Sequence, residues 1–517
     1  MSPRSRSLLP LAAGGLAIAA FLALVARFHH PAHGLTVFYQ LDADNAAHAI
    51  TALRAQPVHI HPAPGGYDGL YYAQLAFDPS LRNPELPRAM DSLPYRARRI
   101  LAPALAWLAG LGRPGWIIHT YAWLNVAAWL ALAAILWRLL GVADTRGWLA
   151  WAGLLFSAGA LSSVRLALTD LPALAVLAGA LLLIERGRPR AGAITIGLAA
   201  LARETSLLAG AGAAEAPWFS RRNFLRAAMA AAPLAVWLAY VQWIAGPAGQ
   251  GWGNLAWPLA GLGEKITASL RSLADVADKP LAWTTLAATL ALVAQAVFFA
   301  VHRQPADRWW RIGAAYAALL ILLGTPVWEG FPGAATRVLL PLNLAFNVAV
   351  LRARAPLAWL VAGNLTVLSG LLALRDVPND PREIAAATFG GTAAVARAGD
   401  GWWGREQTSR HIWLWARDRG TLEIRRWSHG GAPVRLEFAL RAMTPRSVVV
   451  RHRGREIWRA EPGTGFSQHT LDLPGSADPV ITLEFASDAA PVPENAAPGA
   501  RELGFALYDL RLTAAPP

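Results

Sequence analysis

Long apolar runs, separated by short breaks that carry arginine, occupy much of the first 375 residues. They fall at 8–26, 116–139, 147–164, 166–184, 224–245, 281–301, 312–327, 338–351 and 355–374. A helix needs about 20 apolar residues to cross a hydrocarbon core ~30 Å thick, and these runs reach or approach that length. Inside a bilayer every backbone polar group needs an internal partner, so runs of this kind are expected as helices. The expectation is a polytopic α-helical membrane protein with about nine to eleven spans.

The composition, 55% hydrophobic and 15% charged, agrees with that class. The net charge of +14 is gathered at the breaks and not in a basic stripe on a nucleic-acid module. It therefore reads as a topology signal, and nucleic acid is not an expected partner. With no cysteine, the chain has no disulfide framework, thiolate metal site or Cys nucleophile. The pairs and triplets Arg4/Arg6, Arg138/Arg146, Arg186/Arg188/Arg190, Arg221/Arg222/Arg226, Arg303/Arg308/Arg311 and Arg352/Arg354 sit at every second break. One orientation satisfies all of them: N-terminus cytoplasmic, first run an uncleaved helix, in a bacterial inner membrane. The opposite, periplasmic side then receives the long first loop 27–115, the loops 246–280 and 328–337, and everything after Arg375.

Basic clusters flank both ends of 191–218, so the chain must cross that stretch an even number of times. Each half is too short to span, which predicts two short helices that enter and return with Arg203-Glu204-Thr205 at the turn.

The C-terminal part changes character. After a linker at 376–403, apolar residues alternate instead of running, at 412–416, 421–427, 434–440, 447–451, 456–460, 467–473, 480–485 and 503–512. Short strands at this spacing predict an all-β sandwich or jelly roll over 404–517, on the periplasmic side. Trp402, Trp403, Trp413 and Trp415 are candidates for stacking on sugars, although strand aromatics are more often core.

Chemistry concentrates in the first loop, which is far longer than a connection requires. It carries Gly66-Tyr67-Asp68-Gly69-Leu70-Tyr71-Tyr72, then Asp91, then Tyr95-Arg96-Ala97-Arg98-Arg99. A carboxylate between glycines and tyrosines can approach a sugar and accept a proton from an attacking alcohol, while the arginines suit a phosphate. Gly-Tyr-Asp-Gly is by itself also a turn sequence, and the arginines also suit headgroup contacts. Asp170, Arg203, Glu204, Glu329 and Arg337 lie on the same predicted side. His59 and His61 flank Ile60, but two imidazoles are too few for a metal site. No P-loop, no dinucleotide-binding glycine pattern in a βαβ context and no G-x-S-x-G elbow is present. The apolar stretch 100–111 is too short to span and is expected at the membrane surface.

With these motifs, and with Thr336-Arg337-Val338-Leu339-Leu340-Pro341, the chain resembles the GT-C superfamily of multi-span glycosyltransferases, in particular bacterial members linked to cell-surface glycopolymers. The resemblance covers roughly Leu8 to Leu374, within the transmembrane part, 1–375. It implies a polyprenyl-phosphate sugar as donor, a glycan, lipid or protein of the cell envelope as acceptor, and a catalytic acid in the first loop, matched here by Asp68. Tyr67, Tyr71, Tyr72, Asp91, Tyr95, Arg96, Arg98, Arg99, Asp170, Arg203, Glu204, Glu329 and Arg337 are the expected substrate-binding residues. The paired-acid signature of the family is absent, the nearest approach being Asp42-Ala43-Asp44. No metal ligands are assigned, and a divalent cation, magnesium or manganese, is the one candidate cofactor. Inverting transfer is the leading expectation. A transporter or flippase of lipid-linked sugars and a non-catalytic scaffold for polysaccharide assembly are the alternatives.

Overall fold

A computed structural model of the chain describes residues 3–62, 64–247, 251–427, 432–476, 478 and 480–515. It divides into two compact units: Met1–Phe28, Leu35–Arg54 and His59–Val377 form one, and His29–Gly34, Ala55–Val58 and Pro378–Pro517 the other.

In the first unit the apolar runs are helical. Four helices are long and apolar enough to cross a membrane: Leu9–Ala26, Pro114–Leu139, Arg221–Ala245 and Lys279–Val301. The run at 147–164 is broken into Thr145–Leu155 and Ala158–Arg165, bent by 40° and counting as a fifth crossing if the pair is one span. Ser157 causes the break, since its hydroxyl caps the second helix by accepting from the Ala160 amide at 3.4 Å. The run at 355–374 is likewise cut into Leu357–Gly363 and Thr366–Ala373. There Asn364 turns its amide onto Asn347, with Nδ2 donating to Asn347 Oδ1 at 2.8 Å. Length and composition thus give four or five crossings among the described residues, fewer than the nine to eleven expected from the sequence. The remaining runs are helical but short, as in Asp170–Glu185, Arg308–Leu322 and Leu340–Arg352.

The stretch 191–218 holds one α-helix, Pro189–Ala200, and then a 3-10 helix, Glu204–Gly212, with Arg203 and Glu204 at the junction as the spacing predicts. The second element is tighter than the α-helix expected.

The long first loop is folded. Helices Ala43–His48, Gly69–Leu75, Leu93–Ala97 and Leu101–Ala109 pack inside it, the last within the apolar stretch 100–111. Gln74 is fully buried and ties distant loop segments together, accepting from the Ile50 amide at 3.0 Å and donating to the Ala89 carbonyl at 3.1 Å. Those bonds satisfy backbone groups that no helix or sheet could serve.

The second unit is all antiparallel sheet. Its strands are β1 Glu383–Phe389, β2 Thr392–Ala398, β3 Trp402–Gln407, β4 Ile412–Ala416, β5 Arg419–Trp427, β6 Val434–Ala442, β7 Val448–His452, β8 Arg455–Ala460, β9 Ser467–Leu473, β10 Val480–Ala486, β11 Val492–Pro493, β12 Glu502–Leu503 and β13 Phe505–Ala514. One sheet runs β1-β2-β5-β10-β7-β8 and the other β3-β4-β13-β6-β9, with β11 and β12 as a separate pair. Leu422, Ile424 and Leu483 of the first sheet share a core with Leu414, Leu436 and Leu507 of the second, which makes the unit a sandwich.

Part of the region read as a linker, 376–403, is therefore corrected: it folds as β1, β2 and the start of β3. Gly390 and Gly391, both at positive φ, form the two-residue turn between β1 and β2, with Phe389 paired to Thr392. These strands are alanine-rich and have no large alternating side chains, so the period-two signal is weak. Alanine is nonetheless what β2 needs, since Ala394 and Ala396 are fully buried between neighbouring strands.

Candidate active site

Asp42 organises the turn that delivers Asp68. It caps the helix Ala43–His48 by accepting from the Asn45 amide at 2.8 Å, and its other oxygen accepts from the amides of Gly65 and Gly66 at 2.8 and 2.7 Å. Burial works against the ionised carboxyl, but these donors outweigh it and bring its pKa down to about 2. Gly69, directly after Asp68, sits against the Leu166 carbonyl, where a Cβ would come within 2.2 Å of the oxygen. The Gly-Tyr-Asp-Gly segment is thus a close backbone approach, beyond a surface turn.

Around it the charged residues pair off. Arg96 reaches Asp68 Oδ1 at 2.9 Å and Asp91 Oδ2 at 2.6 Å, one guanidinium serving two carboxylates. Burial disfavours both charges, yet the bidentate bond holds Asp91 below the usual carboxylate range and Arg96 above its ordinary value. Arg99 bonds Glu204 at 3.1 Å and the Tyr72 hydroxyl at 3.0 Å. Arg203 lies 3.1 Å and Arg337 3.7 Å from the two oxygens of Asp170, and Arg337 also donates to the Tyr67 hydroxyl at 2.6 Å. Arg96 lies over the Tyr71 ring at 4.8 Å, and the guanidiniums of Arg96, Arg98 and Arg99 each stand about 5.5 Å from the centre of the Tyr95 ring. Burial raises the phenols of Tyr71 and Tyr72, which keeps them as neutral donors.

Arg96, Arg99, Arg337 and Asp170 are each less than 10% exposed, whereas the Asp68 side chain keeps 32% of its surface. The arrangement is a charge-balanced lattice of buried arginines whose two most accessible carboxylates, Asp68 and Asp91, share Arg96 at its edge. Buried ion pairs survive when geometry and hydrogen bonds offset desolvation. The offset is incomplete here, because Arg203 Nε, Thr169 Oγ1 and Thr205 Oγ1 are buried without hydrogen-bond partners. Each such group costs roughly 1–3 kcal/mol while unmet.

Of the residues expected from sequence, Glu329 stands apart: it caps the short helix Thr325–Trp328, is exposed, and lines a different cavity. The others form two contact groups, one around Arg96, Arg99 and Tyr95 and one around Asp170, which adjoin where Arg203 precedes Glu204 in the chain. Asp42 and Gln74 were missed as positioning residues. The Asp42-Ala43-Asp44 pattern is a visible cap signal for the first, and nothing local marks the second. The His59 and His61 rings meet edge to face at 4.7 Å, with His61 Nε2 at 3.1 Å from the Val37 carbonyl.

A divalent cation does not fit these donors. Asp68 and Asp91 share one guanidinium, which neutralises the negative charge a hard cation requires, and no group of three His, Asp or Glu with metal-binding geometry occurs among the described residues.

No protein-family model matches the chain, and no curated protein does. Among solved structures, it is similar to a family 29 carbohydrate-binding module at 14% identity over 23% of this chain and 87% of that one, with a TM-score of 0.15. It is also similar to the arabinosyltransferase EmbB from Mycobacterium smegmatis at 13% identity over 97% of this chain and 64% of that one, with a TM-score of 0.13. Such scores carry no weight for function.

Proposed function

We propose that the chain is a membrane glycosyltransferase that moves a sugar from a polyprenyl-phosphate donor to a cell-envelope acceptor. The observation that carries the reading is the partly exposed Asp68 at the edge of a buried arginine lattice. In this reading Asp68 takes the proton of the acceptor hydroxyl, whose oxygen bonds to the anomeric carbon from the face opposite the phosphate. The bond from that carbon to the phosphate oxygen breaks, polyprenyl phosphate leaves with the electron pair, and the anomeric configuration inverts. Arg98, Arg99, Arg203 and Arg337 meet the charge developing on the leaving phosphate, and Tyr67, Tyr71 and Tyr72 hold a sugar ring. The unmet donor of Arg203 supports this role, because a phosphate oxygen would supply its missing partner after a small side-chain movement. Lipid phosphate is already a good leaving group, so electrostatics suffice without a metal step.

The topology that goes with this has about nine to eleven crossings, the N-terminus in the cytoplasm, and the long first loop and β unit in the periplasm. The β unit serves as an acceptor-positioning module. Trp403, 48% exposed, is the one of its four candidate tryptophans available for stacking: Trp415 is buried, Trp402 packs on the core and Trp413 stacks on Tyr508.

The test is transfer from radiolabelled polyprenyl-phosphate sugars by purified protein in liposomes, compared with Asp68→Asn. Asn keeps the shape and a bond to Arg96 but cannot take the proton, so transfer is expected to fall at least about a hundredfold with folding intact. Full transfer by the variant would remove Asp68 from this role. Carrier lipid crossing vesicles without any transfer would establish the transporter instead.

A further inference from the structure

A cavity separate from the Asp68 lattice lies beside the helix Ala260–Asp275 and has a volume of about 210 Å³. Lys265 lines it and is only 7% exposed. Its ammonium donates to the Gly330 carbonyl at 2.6 Å, but among the described residues it has no ion-pair partner. A buried cation without a counter-ion is costly, and burial pushes the Lys265 amine down to about 8. Three more residues of the same wall, Ser269, Thr285 and Trp328, are at most 2% exposed, and each has a buried polar atom with no hydrogen-bond partner. Both hydroxyl residues line the cavity, and a hydroxyl proton rotates to suit an acceptor. The remaining charges lining it, Glu264 and Glu329, are exposed, and Glu264 is engaged by the Thr325 hydroxyl.

Unspent donors inside and acceptors outside specify the ligand class. An ammonium with hydroxyls nearby suits the oxygens of a phosphate, which has more acceptor positions than a carboxylate. Exposed carboxylates suit hydroxyls on the remainder of the molecule. At ~30 Å³ per water, the volume corresponds to roughly seven waters, enough for a phosphate with a short polyol and too little for a lipid chain. We infer that this cavity binds the phosphate of a small hydroxyl-bearing phosphate ester, with Lys265 as its cationic anchor. The inference does not rest on the transferase reading and stands or falls by binding alone.

The same chemistry is available from a soluble ester or from a glycerol-bearing lipid headgroup, and the test separates them. The full chain is placed in nanodiscs of phosphatidylcholine, and separately in discs containing phosphatidylglycerol. Each is titrated calorimetrically with inorganic phosphate and with glycerol 3-phosphate. Saturable binding of glycerol 3-phosphate in both discs supports the site with a soluble source. Binding in phosphatidylcholine that disappears in phosphatidylglycerol supports it with the headgroup as occupant. Lys265→Met, of similar length and uncharged, is expected to weaken binding about tenfold or more. Ser269→Ala and Thr285→Val, each losing one hydroxyl, give smaller losses and keep the test decisive if the Met variant does not fold. Absence of binding by the wild type in both discs, or binding that is unchanged in all three variants, overturns the inference.

Discussion

Arg96 holds two carboxylates on one planar guanidinium, so its replacement acts on both at once. Lys in its place keeps the charge but has no fork with which to span Asp68 and Asp91. Transfer by Arg96→Lys is expected to fall about tenfold or more, while Arg96→Gln, leaving the partly exposed Asp91 and Asp68 without a cation, is expected to cost about 1–2 kcal/mol of stability as well. Activity and thermal unfolding of the detergent-solubilised variants check the two parts separately. Asp42 sets a pH dependence. Its folded pKa, about 2, lies below the ordinary carboxylate value, so the stabilisation is complete above about pH 4 and is lost as pH falls through 2. Asp42→Asn puts an amide in a site surrounded by N–H donors. It is expected to lower the melting temperature at neutral pH and to flatten the acid limb of the stability profile between pH 4 and 2. An acid limb identical to that of the wild type would mean that another group controls it.

At the scale of elements, the short helix Gly69–Leu75 is seated by a glycine whose missing side chain leaves room for the Leu166 carbonyl. Gly69→Ala is expected to push the helix off that contact, displacing Asp68 and abolishing transfer. Gly210→Ala makes the control, because no atom lies within 4 Å of the added Cβ. If both variants work equally well, the close approach at Gly69 has no functional weight. The broken helices show the same dependence on single residues. Ser157 and Asn364 each end a helix that apolarity alone would continue, one by capping and the other by joining the Asn347 amide. Hydropathy reports a run's average and is blind to a polar group that redirects the backbone inside it. The missed hairpin of β1 and β2 has the converse origin, since its glycine turn was visible while its alanine strands resembled a linker.

For the molecule as a whole, the two units differ in what they need in order to fold. The shared core of the sandwich comes entirely from residues between Ile384 and Leu512. The segment His29–Gly34 adds to the same unit through the His30–Glu383 contact at 2.6 Å and through Ala32 packed on Ala393 and Val395. Residues 378–517 expressed alone are therefore expected to give an antiparallel-sheet circular dichroism spectrum and a cooperative melt. A non-cooperative melt would make the 29–34 segment indispensable to the core.

Features carried by near neighbours in the chain were determined by the sequence itself. Continuous apolar runs and two-residue alternation separated the helical unit from the sheet unit, and most strand positions from Ile412 onward followed from alternation. The Gly-Tyr-Asp-Gly segment and the Arg203-Glu204 turn were visible for the same reason. Only the tertiary structure decided the partners. Arg99 meets Glu204 across 105 residues and Arg337 meets Tyr67 across 270, and no local pattern encodes such pairings. It also removed Glu329 from the lattice, gave Asp42 its positioning role and left Lys265 buried without a counter-ion. A side chain's charge belongs to its residue type, but the cost of that charge depends on the water its neighbours exclude, and those neighbours are brought together by packing.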